Sequence, residues 1–194
     1  MEPEGTQRPD LLSSLVVNKL DYGNPALNKV NACVAVIFAA TAEGTKVLMM
    51  RRSERDDDKW SGQIAFPGGG CEKCDSKYLN TAIREVEEEM GFKLENSEFL
   101  GYITPLETHT GLKVLPCIFW LDREVEIKPN KDEVSSYKWV LASTLLSGQN
   151  ISMAKVKTRS IQMDVPSINY QGYVIWGLTY NILMALNTAL NNRS

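Results

Sequence analysis

Runs of apolar residues separated by polar turns predict a series of strands along the chain. Residues 30–40 are mostly Val, Ala, Ile and Phe, and the run is about half as long as a membrane span, so a buried strand is the better interpretation. Residues 46–52 form a second apolar run after the Glu43-Gly44 turn, and the two runs predict a hairpin. Further strands are predicted at residues 63–66, 97–105, 112–121 and 133–140. Pro116 lacks an N–H, which predicts an edge position or a bulge for its strand.

Apolar residues at helical spacing predict two longer helices. Within residues 75–90, one face of the predicted helix carries Leu79, Ile83, Val86 and Met90. Asp75 or Ser76 can cap its N-terminus by accepting hydrogen bonds from backbone N–H groups, and Gly91 lies where a left-handed residue commonly ends a helix. Residues 175–190 carry Leu or Ile at every fourth position and predict a second helix, and a short helix is expected at 143–147.

The order of these elements predicts an α+β fold. Strands and helices do not alternate regularly, which favours an α+β or sandwich arrangement over a doubly wound parallel sheet. Residues 1–29 are polar and interrupted by prolines, and we expect an N-terminal arm or a short helix there. Residues 30–194 are expected to form a single domain, because a chain of 194 residues can bury a core without disulfides or a structural metal.

Charge and composition exclude several classes of protein. The chain carries 21 Lys and Arg against 24 Asp and Glu, a net charge of −3, so it lacks the basic surface needed for broad nucleic-acid binding. No basic segment followed by an apolar stretch marks a signal peptide, and no segment is long and apolar enough to span a membrane. We therefore expect a cytoplasmic protein without a membrane partner. The sequence is compatible with a homodimer.

Two of the four cysteines form a CxxC pair, Cys71 and Cys74. A zinc site needs about four ligands, but the chain has no second CxxC pair and its only histidine is His109. We therefore expect an exposed loop that carries two reduced thiols. A redox pair is the alternative, since CxxC opens a helix after a strand in thioredoxin-like proteins.

Three glutamates gather on one face of the predicted helix at 75–90. With Glu85 at zero on a helical wheel, Glu88 falls at about −60° and Glu89 at about +40°. Such carboxylates repel one another, and Arg84 relieves only part of that repulsion. A hard divalent cation, Mg²⁺ or Mn²⁺, would bind several carboxylate oxygens together with water and phosphate oxygens. Taken alone, a solvated acidic face is the better explanation of the cluster, because charge runs on helices are common.

A glycine triplet immediately upstream favours a metal site over a solvated acidic face. Gly68, Gly69 and Gly70 precede the helix by a short loop, and glycine lets the backbone approach a ligand without a Cβ in the way. The Gly69 carbonyl could therefore complete a metal shell beside the three carboxylates. A plain turn would also explain the glycines, but the combination with an acidic helix at this spacing is much less common.

The segment from Gly70 to Phe92, GCEKCDSKYLNTAIREVEEEMGF, resembles the Nudix box, whose pattern is G-x5-E-x7-R-E-U-x-E-E-x-G-U with U a bulky aliphatic residue. The positions in register are Gly70, Arg84, Glu85, Val86, Glu88, Glu89, Gly91 and, more loosely, Phe92. One position departs, because the pattern's first Glu falls at Ser76. Asp75, one residue earlier, is the expected substitute.

The resemblance implies a mixed β-sheet between helices, an α/β/α sandwich, and Mg²⁺- or Mn²⁺-dependent hydrolysis of a nucleoside diphosphate linked to another group. It implies that Glu85, Glu88 and Glu89 bind the metal, with the Gly69 carbonyl as a further ligand and Arg84 orienting the carboxylates. Three candidates remain for the general base: Glu88 and Glu89, and below them Glu133, for which an exposed turn carboxylate is the competing interpretation.

The segment before the box, LMMRRSERDDDKWSGQIAFPGG at 48–69, resembles the signature LLTxRSx3Rx3Gx3FPGG of the coenzyme A pyrophosphatase branch. The signature's internal Arg is missing, acidic residues 56–58 lie there instead, and one extra residue precedes Gly62. The resemblance implies a coenzyme A-type substrate. ADP-ribose, other nucleotide sugars and dinucleoside polyphosphates are alternatives, as is a non-catalytic module that binds nucleotide or protein.

Several residues outside the box have two interpretations. Arg51, Arg52 and Arg55 predict a clamp for substrate phosphates, with a solvated loop as the alternative. For Trp60 and Trp176 we expect packing in the core.

Overall fold

The computed structural model describes residues 30–56, 58, 60–73, 75, 78–157 and 161–191. The N-terminal arm expected at 1–29, the cap candidate Ser76 and the thiol of Cys74 lie outside these residues. The strands are β1 (Ala32–Ala39), β2 (Lys46–Arg52), β3 (Ile64–Ala65), β4 (Gly68–Gly70), β5 (Glu98–Tyr102), β6 (Leu106–Glu107), β7 (Lys113–Leu121), β8 (Val134–Leu141), β9 (Ile151–Lys157), β10 (Gln162–Tyr170) and β11 (Tyr173–Trp176). The helices are α1 (Tyr78–Met90), the 3₁₀ turn Leu94–Asn96, α2 (Ala142–Leu146) and α3 (Gly177–Asn191).

Strands β1 to β8 form one mixed sheet with the order β3-β2-β1-β7-β5. Strand β1 lies at its centre, antiparallel to β2 and parallel to β7, while β4 pairs with β1, β6 with β7 and β8 with β2. The predicted hairpin of the first two apolar runs is therefore confirmed. Strands β9, β10 and β11 form a separate antiparallel sheet.

Both faces of the large sheet are covered, which explains why β1 reads as a continuous apolar run. Successive side chains point to opposite faces of a strand. Ala35 and Ile37 pack in a cluster with Val86 of α1, and Val36 and Phe38 pack in a second cluster with helix α3. The sheet thus lies between α1 on one side and α3 on the other, and the predicted α+β sandwich is confirmed.

Helix α1 has the apolar face that the sequence predicted, and it ends as predicted at Gly91. Ala82, Val86 and Met90 are fully buried against the sheet. Gly91 adopts φ +69°, the left-handed conformation, and its N–H donates to the carbonyl of Glu87 at 3.1 Å. None of the described helices is both long and apolar enough to cross a membrane.

Of the two alternatives predicted for Pro116, the edge position is wrong, because β7 lies between β1 and β5, but the pairing opposite Pro116 is irregular, as the other alternative expected. The pairing partners on the β5 side jump from Tyr102 to Leu106, which leaves a gap opposite Pro116. The Pro116 carbonyl accepts from Ile103 N at 3.2 Å on that same side. The N and O of a strand residue point the same way, so the missing N–H of proline lies on this irregular side rather than on the side that pairs with β1.

The sequence also missed several strands. Gly68–Gly70, expected as a loop or turn, is a strand that pairs with Ala32–Val34 of β1. The small sheet was not predicted because β9 and β10 mix apolar and polar residues and bury few of them. The last helix begins at Gly177 rather than at 175, since Tyr173–Trp176 pairs with β10.

The pairing of β4 with β1 generates a test of stability. A Cβ on Gly68 would overlap the carbonyl oxygen of Cys33 and lie 2.6 Å from the Cα of Val34, whereas a Cβ on Gly70 would meet nothing within 4 Å. We predict that Gly68→Ala lowers the free energy of unfolding by about 1–3 kcal/mol, the usual cost of forcing atoms into a packed region. Gly70→Ala is the matched control, and urea denaturation of both variants is the measurement. Equal midpoints and slopes for the two variants would contradict the prediction.

Candidate active site

The candidate site lies where helix α1 faces strand β4. Because β4 pairs with β1 and α1 packs on β1, both elements are fixed to the same strand. A Cβ on Gly69 would lie 2.6 Å from the carboxyl carbon of Glu85. Only glycine at this position therefore lets the Glu85 carboxylate come so close to the backbone.

Arg84 lies at the centre of the site and contacts two of the three glutamates. Its Nη1 donates to Glu85 Oε1 and to Glu88 Oε2, both at 2.9 Å. Its Nη2 donates to the Gly70 carbonyl at 3.0 Å and contacts Asp75 Oδ2 at 3.3 Å. Burial works against the charge of Arg84, but Asp75 and Glu85 outweigh it and hold the pKa of Arg84 above its usual range. The planar guanidinium thus joins helix α1 to strand β4.

Asp75 supports Arg84 from the loop before the helix. Its side chain is only 7% exposed, and its Oδ2 accepts from Glu72 N at 2.9 Å and from Thr81 Oγ1 at 2.8 Å. Burial opposes ionisation of Asp75, but these hydrogen bonds and Arg84 prevail and lower its pKa. Asp75 is therefore a charged carboxylate, fixed by three partners, beside the arginine of the box.

Glu89 is the most buried of the three glutamates, with 1% of its surface exposed. Its Oε2 accepts from the backbone N–H of Gly68 at 2.8 Å, and its Oε1 lies 3.5 Å from Arg52 Nη1. Burial raises the pKa of Glu89 to about 8, against the lowering effects of Gly68 and Arg52, and the charges of Glu85 and Glu133 raise it further. The Glu89 carboxylate is therefore poorly compensated by the protein alone.

Glu133 belongs to the same group of charges. Its negative charge raises the pKa of Glu89 and, after the larger effect of burial, that of Glu85. Asn130 Nδ2 donates to Glu133 Oε1 at 3.1 Å, and Ser53 N donates to the Glu133 carbonyl at 2.8 Å. The structure thus brings Glu133 to the helix glutamates from a turn more than forty residues downstream.

The three arginines of the expected phosphate clamp do not share one location. Arg52 donates from Nε to Asp58 Oδ2 at 2.8 Å and contacts Glu89. Arg51, the preceding residue of the strand, points to the other face. There its Nη2 donates to the Gly172 carbonyl at 2.9 Å, and its guanidinium lies 5.4 Å from the Tyr173 ring centre. Arg55 lines a cleft on that same side.

Other expectations from the sequence are partly corrected. Trp60 is 44% exposed, so the prediction that it packs in the core is wrong, while Trp176 is half-buried. Cys71 is also half-buried rather than fully exposed, and its Sγ lies 3.8 Å from that of Cys33 in β1. Burial raises the pKa of the Cys71 thiol to about 11, which disfavours the reactive thiolate. Sequence reasoning missed Asp58 and Asn130, whose roles depend on contacts with distant residues.

The donor set fits a hard divalent cation. Carboxylate and carbonyl oxygens are the ligands that Mg²⁺ and Mn²⁺ take in proteins, and the Glu85 carboxylate lies so close to Gly69 that a Cβ there would overlap it. In the described part of the chain, no three acidic, histidine or cysteine side chains converge closely enough to hold a metal as they stand. The reason is local, since Arg84 binds Glu85 and Glu88 while Glu89 turns to Gly68.

Comparisons with known proteins identify the family of this chain. The family profile of the NUDIX domain matches residues 30–160. The uncharacterized Nudix hydrolase NudL of Pectobacterium atrosepticum is 30% identical over 82% of this chain and 83% of its own length, and NudL of Photorhabdus laumondii is 31% identical over 80% and 83%. In fold, the crystal structure of RenU, a Nudix hydrolase from M. smegmatis, is similar over 61% of this chain and 74% of RenU, with a TM-score of 0.51 and 18% identity. The chain therefore belongs to the Nudix family of hydrolases.

Proposed function

We propose that this protein is a divalent-metal-dependent pyrophosphohydrolase that cleaves a nucleoside-diphosphate-linked substrate. The observation that carries the proposal is the placement of Glu85, Glu88 and Glu89 on one helix that faces the close backbone approach at Gly69. A solvated acidic face has no need of the buried Glu89 carboxylate or of the hydrogen bonds around Arg84. A non-catalytic binding module has no need of three repelling carboxylates.

In this proposal Glu85, Glu88, Glu89 and the Gly69 carbonyl would hold Mg²⁺ or Mn²⁺. A bound divalent cation supplies positive charge that neutralises the phosphate oxygens and lets a nucleophile approach. Arg84 keeps Glu85 and Glu88 in place before the metal arrives, and Asp75 keeps Arg84 in place, the role that the box pattern gives to a glutamate at position 76. Glu88 and Glu89 remain the first candidates for accepting the proton of the attacking water.

Glu133 gains support as a third candidate for the general base. It faces Glu85 and Glu89 closely enough for its charge to raise the pKa of both, and Asn130 orients its carboxylate. An exposed carboxylate in a turn would neither raise the pKa of the two helix glutamates nor be held by an asparagine side chain.

For the substrate, we propose coenzyme A or a derivative of it. The support is the segment at 48–69, in which Arg52-Ser53 and Gly62-x3-Phe66-Pro67-Gly68-Gly69 match the branch signature. Two of these residues contact Glu89: Arg52 lies 3.5 Å from its carboxylate, and Gly68 N donates to it. ADP-ribose, other nucleotide sugars and dinucleoside polyphosphates are the alternatives within the family.

A substrate panel tests both levels of this proposal. We predict hydrolysis of coenzyme A with a higher kcat/KM than ADP-ribose, UDP-glucose or diadenosine tetraphosphate, in the presence of Mg²⁺ or Mn²⁺ and not in EDTA. Turnover of ADP-ribose without turnover of coenzyme A would contradict the substrate. Turnover of no compound with either metal would favour the binding module over the enzyme.

A matched pair of variants on helix α1 tests the carboxylates. We predict that Glu89→Gln lowers kcat by about a hundredfold or more, because it removes a charged ligand from the metal-assisted route. Glu87→Gln is the control, since Glu87 is exposed on the same helix and pairs only weakly with Lys93, at 3.8 Å. Thermal unfolding shows whether both variants remain folded, and an unchanged kcat for folded Glu89→Gln would remove Glu89 from the site.

The two acidic partners of Arg84 provide a second matched pair. Asp75 is 7% exposed and contacts Arg84 at 3.3 Å, whereas Glu72 is 60% exposed and lies 3.7 Å away. We predict that Asp75→Asn lowers kcat/KM by about tenfold, because a buried charge-assisted contact orients the arginine. Glu72→Gln should have little effect, since exposed ion pairs contribute little. Steady-state kinetics of both variants is the measurement, and equal losses would contradict a special role for Asp75.

A further inference from the structure

The segment at 128–134 closes the C-terminal end of helix α1. The carbonyls in the last turn of a helix have no partner within the helix itself. Here Asn130 N donates to the Glu89 carbonyl at 2.9 Å, and Lys128 N donates to the Met90 carbonyl at 3.1 Å. Two carbonyls of the last helical turn are therefore bound by a distant segment of the chain.

This segment is also anchored by packing. Ile127 and Val134, which flank its turn, are buried in one cluster with Met90 of helix α1. At Gly91 the segment comes so close that a Cβ would overlap the Lys128 carbonyl oxygen. Because close-packed contacts deform little, the segment keeps its position relative to the end of the helix.

The residue after strand β2 holds the segment as well. Ser53 Oγ donates to the Lys131 carbonyl at 2.9 Å, and Ser53 N donates to the Glu133 carbonyl at 2.8 Å. Ser53 is the serine of the branch signature, and Arg52 before it lies 3.5 Å from Glu89. The Arg-Ser pair of the signature therefore contacts both a helix glutamate and the turn that carries Glu133.

Asn130 lies at the centre of this segment and uses all of its polar groups there. Its carbonyl accepts from Glu133 N at 3.0 Å and from Val134 N at 2.8 Å. Its Oδ1 accepts from Asp132 N at 3.1 Å, which leaves Nδ2 to donate to Glu133 Oε1 at 3.1 Å. Since its own N–H binds the Glu89 carbonyl, Asn130 joins the end of the helix to the carboxylate of Glu133.

We propose that Asn130 is a positioning residue that fixes the Glu133 carboxylate relative to Glu89, so that it faces the helix glutamates. Glu133 is half-buried, and nearby carboxylates repel one another, so its side chain would turn outward if nothing held it. An amide donor holds a carboxylate without neutralising its charge, whereas a lysine or arginine at position 130 would form an ion pair with it. This inference rests on the proposed function for the reaction that Glu133 serves.

A double-mutant cycle of Asn130 and Glu133 tests the inference. Asn130→Asp keeps the shape, the backbone hydrogen bonds and an oxygen for Asp132 N, but it replaces the donor to Glu133 by a like charge. We expect kcat on the best substrate of the panel to fall about tenfold with little change in KM, the usual cost of losing a hydrogen bond to a charged group. Glu133→Gln should lower kcat at least as much. Asn130→Asp should lower it no further in the Glu133→Gln protein, because the residue through which it acts is already changed.

Two single variants complete the set. Asp132→Asn is the matched control, since Asp132 is exposed on the same turn, and it should retain wild-type kcat and KM. Ser53→Ala removes the hydroxyl that holds the Lys131 carbonyl, and we expect a loss of kcat of about threefold, as for a hydrogen bond between neutral groups. This loss should also vanish in the Glu133→Gln protein, which tests the segment even if Asn130→Asp fails to fold.

Urea denaturation of the same proteins gives the cycle without turnover. We expect Asn130→Asp to lower the midpoint in the wild-type background, where two carboxylates then face each other. It should lower the midpoint less in the Glu133→Gln protein, where the new carboxylate accepts from the glutamine amide.

Three outcomes would overturn the inference: losses of kcat that simply multiply in the double variant, wild-type kcat in Asn130→Asp, or midpoint shifts that simply add. Wild-type kcat in Glu133→Gln would also overturn it, while metal-dependent hydrolysis by the wild-type protein would leave the proposed function intact. Coupled midpoints in a protein that hydrolyses no anhydride of the panel would support the positioning of Glu133 by Asn130 and contradict the proposed function.

Discussion

The guanidinium of Arg84 is the interaction on which the rest of the site depends. Glu85, Glu88 and Glu89 lie within little more than one helical turn, where like charges weaken a helix. Arg84 binds the first two of them and the Gly70 carbonyl at the same time, at 2.9–3.0 Å. The planar group thereby sets the distance between helix α1 and strand β4 as well as the direction of two carboxylates. Without it, the repelling side chains would turn outward and the narrow approach between Glu85 and Gly69 would be lost.

The large sheet is covered on both faces, and this fixes the positions of helix α1 and strand β4, which Arg84 joins. Strand β1 is buried under α1 on one face and under α3 on the other, and β4 is hydrogen-bonded to its first residues. A close-packed interior deforms little, so elements attached to the same buried strand keep their relative positions. The close fit at Gly68 follows from this arrangement, because the backbone of β1 that it contacts cannot move away to admit a side chain.

The sequence predicted the features that depend on local pattern. The hairpin of β1 and β2, the apolar face of α1 and the left-handed Gly91 each follow from the spacing or identity of neighbouring residues. The features it missed depend on contacts between distant segments. Pro116 is tolerated in a central strand where the regular pairing on the β5 side is interrupted between Tyr102 and Leu106. The small sheet forms by pairing among strands that individually lack a clear alternation. Glu133, which the sequence named as the third candidate base, is also held by a contact between distant segments, since Ser53 N donates to its carbonyl.

The acidic residues that replace the arginine of the branch signature affect the contacts of Arg52. Where the signature has an arginine, this chain has acidic residues, and one of them, Asp58, binds Arg52 at 2.8 Å. Arg52 therefore divides its charge between Asp58 and Glu89, which it approaches only to 3.5 Å. A buried carboxylate with so weak a partner has a raised pKa, and the pKa of Glu89 is about 8. Asp58 thus competes with Glu89 for Arg52, and the Gly68 N–H does more than Arg52 to offset the burial of Glu89.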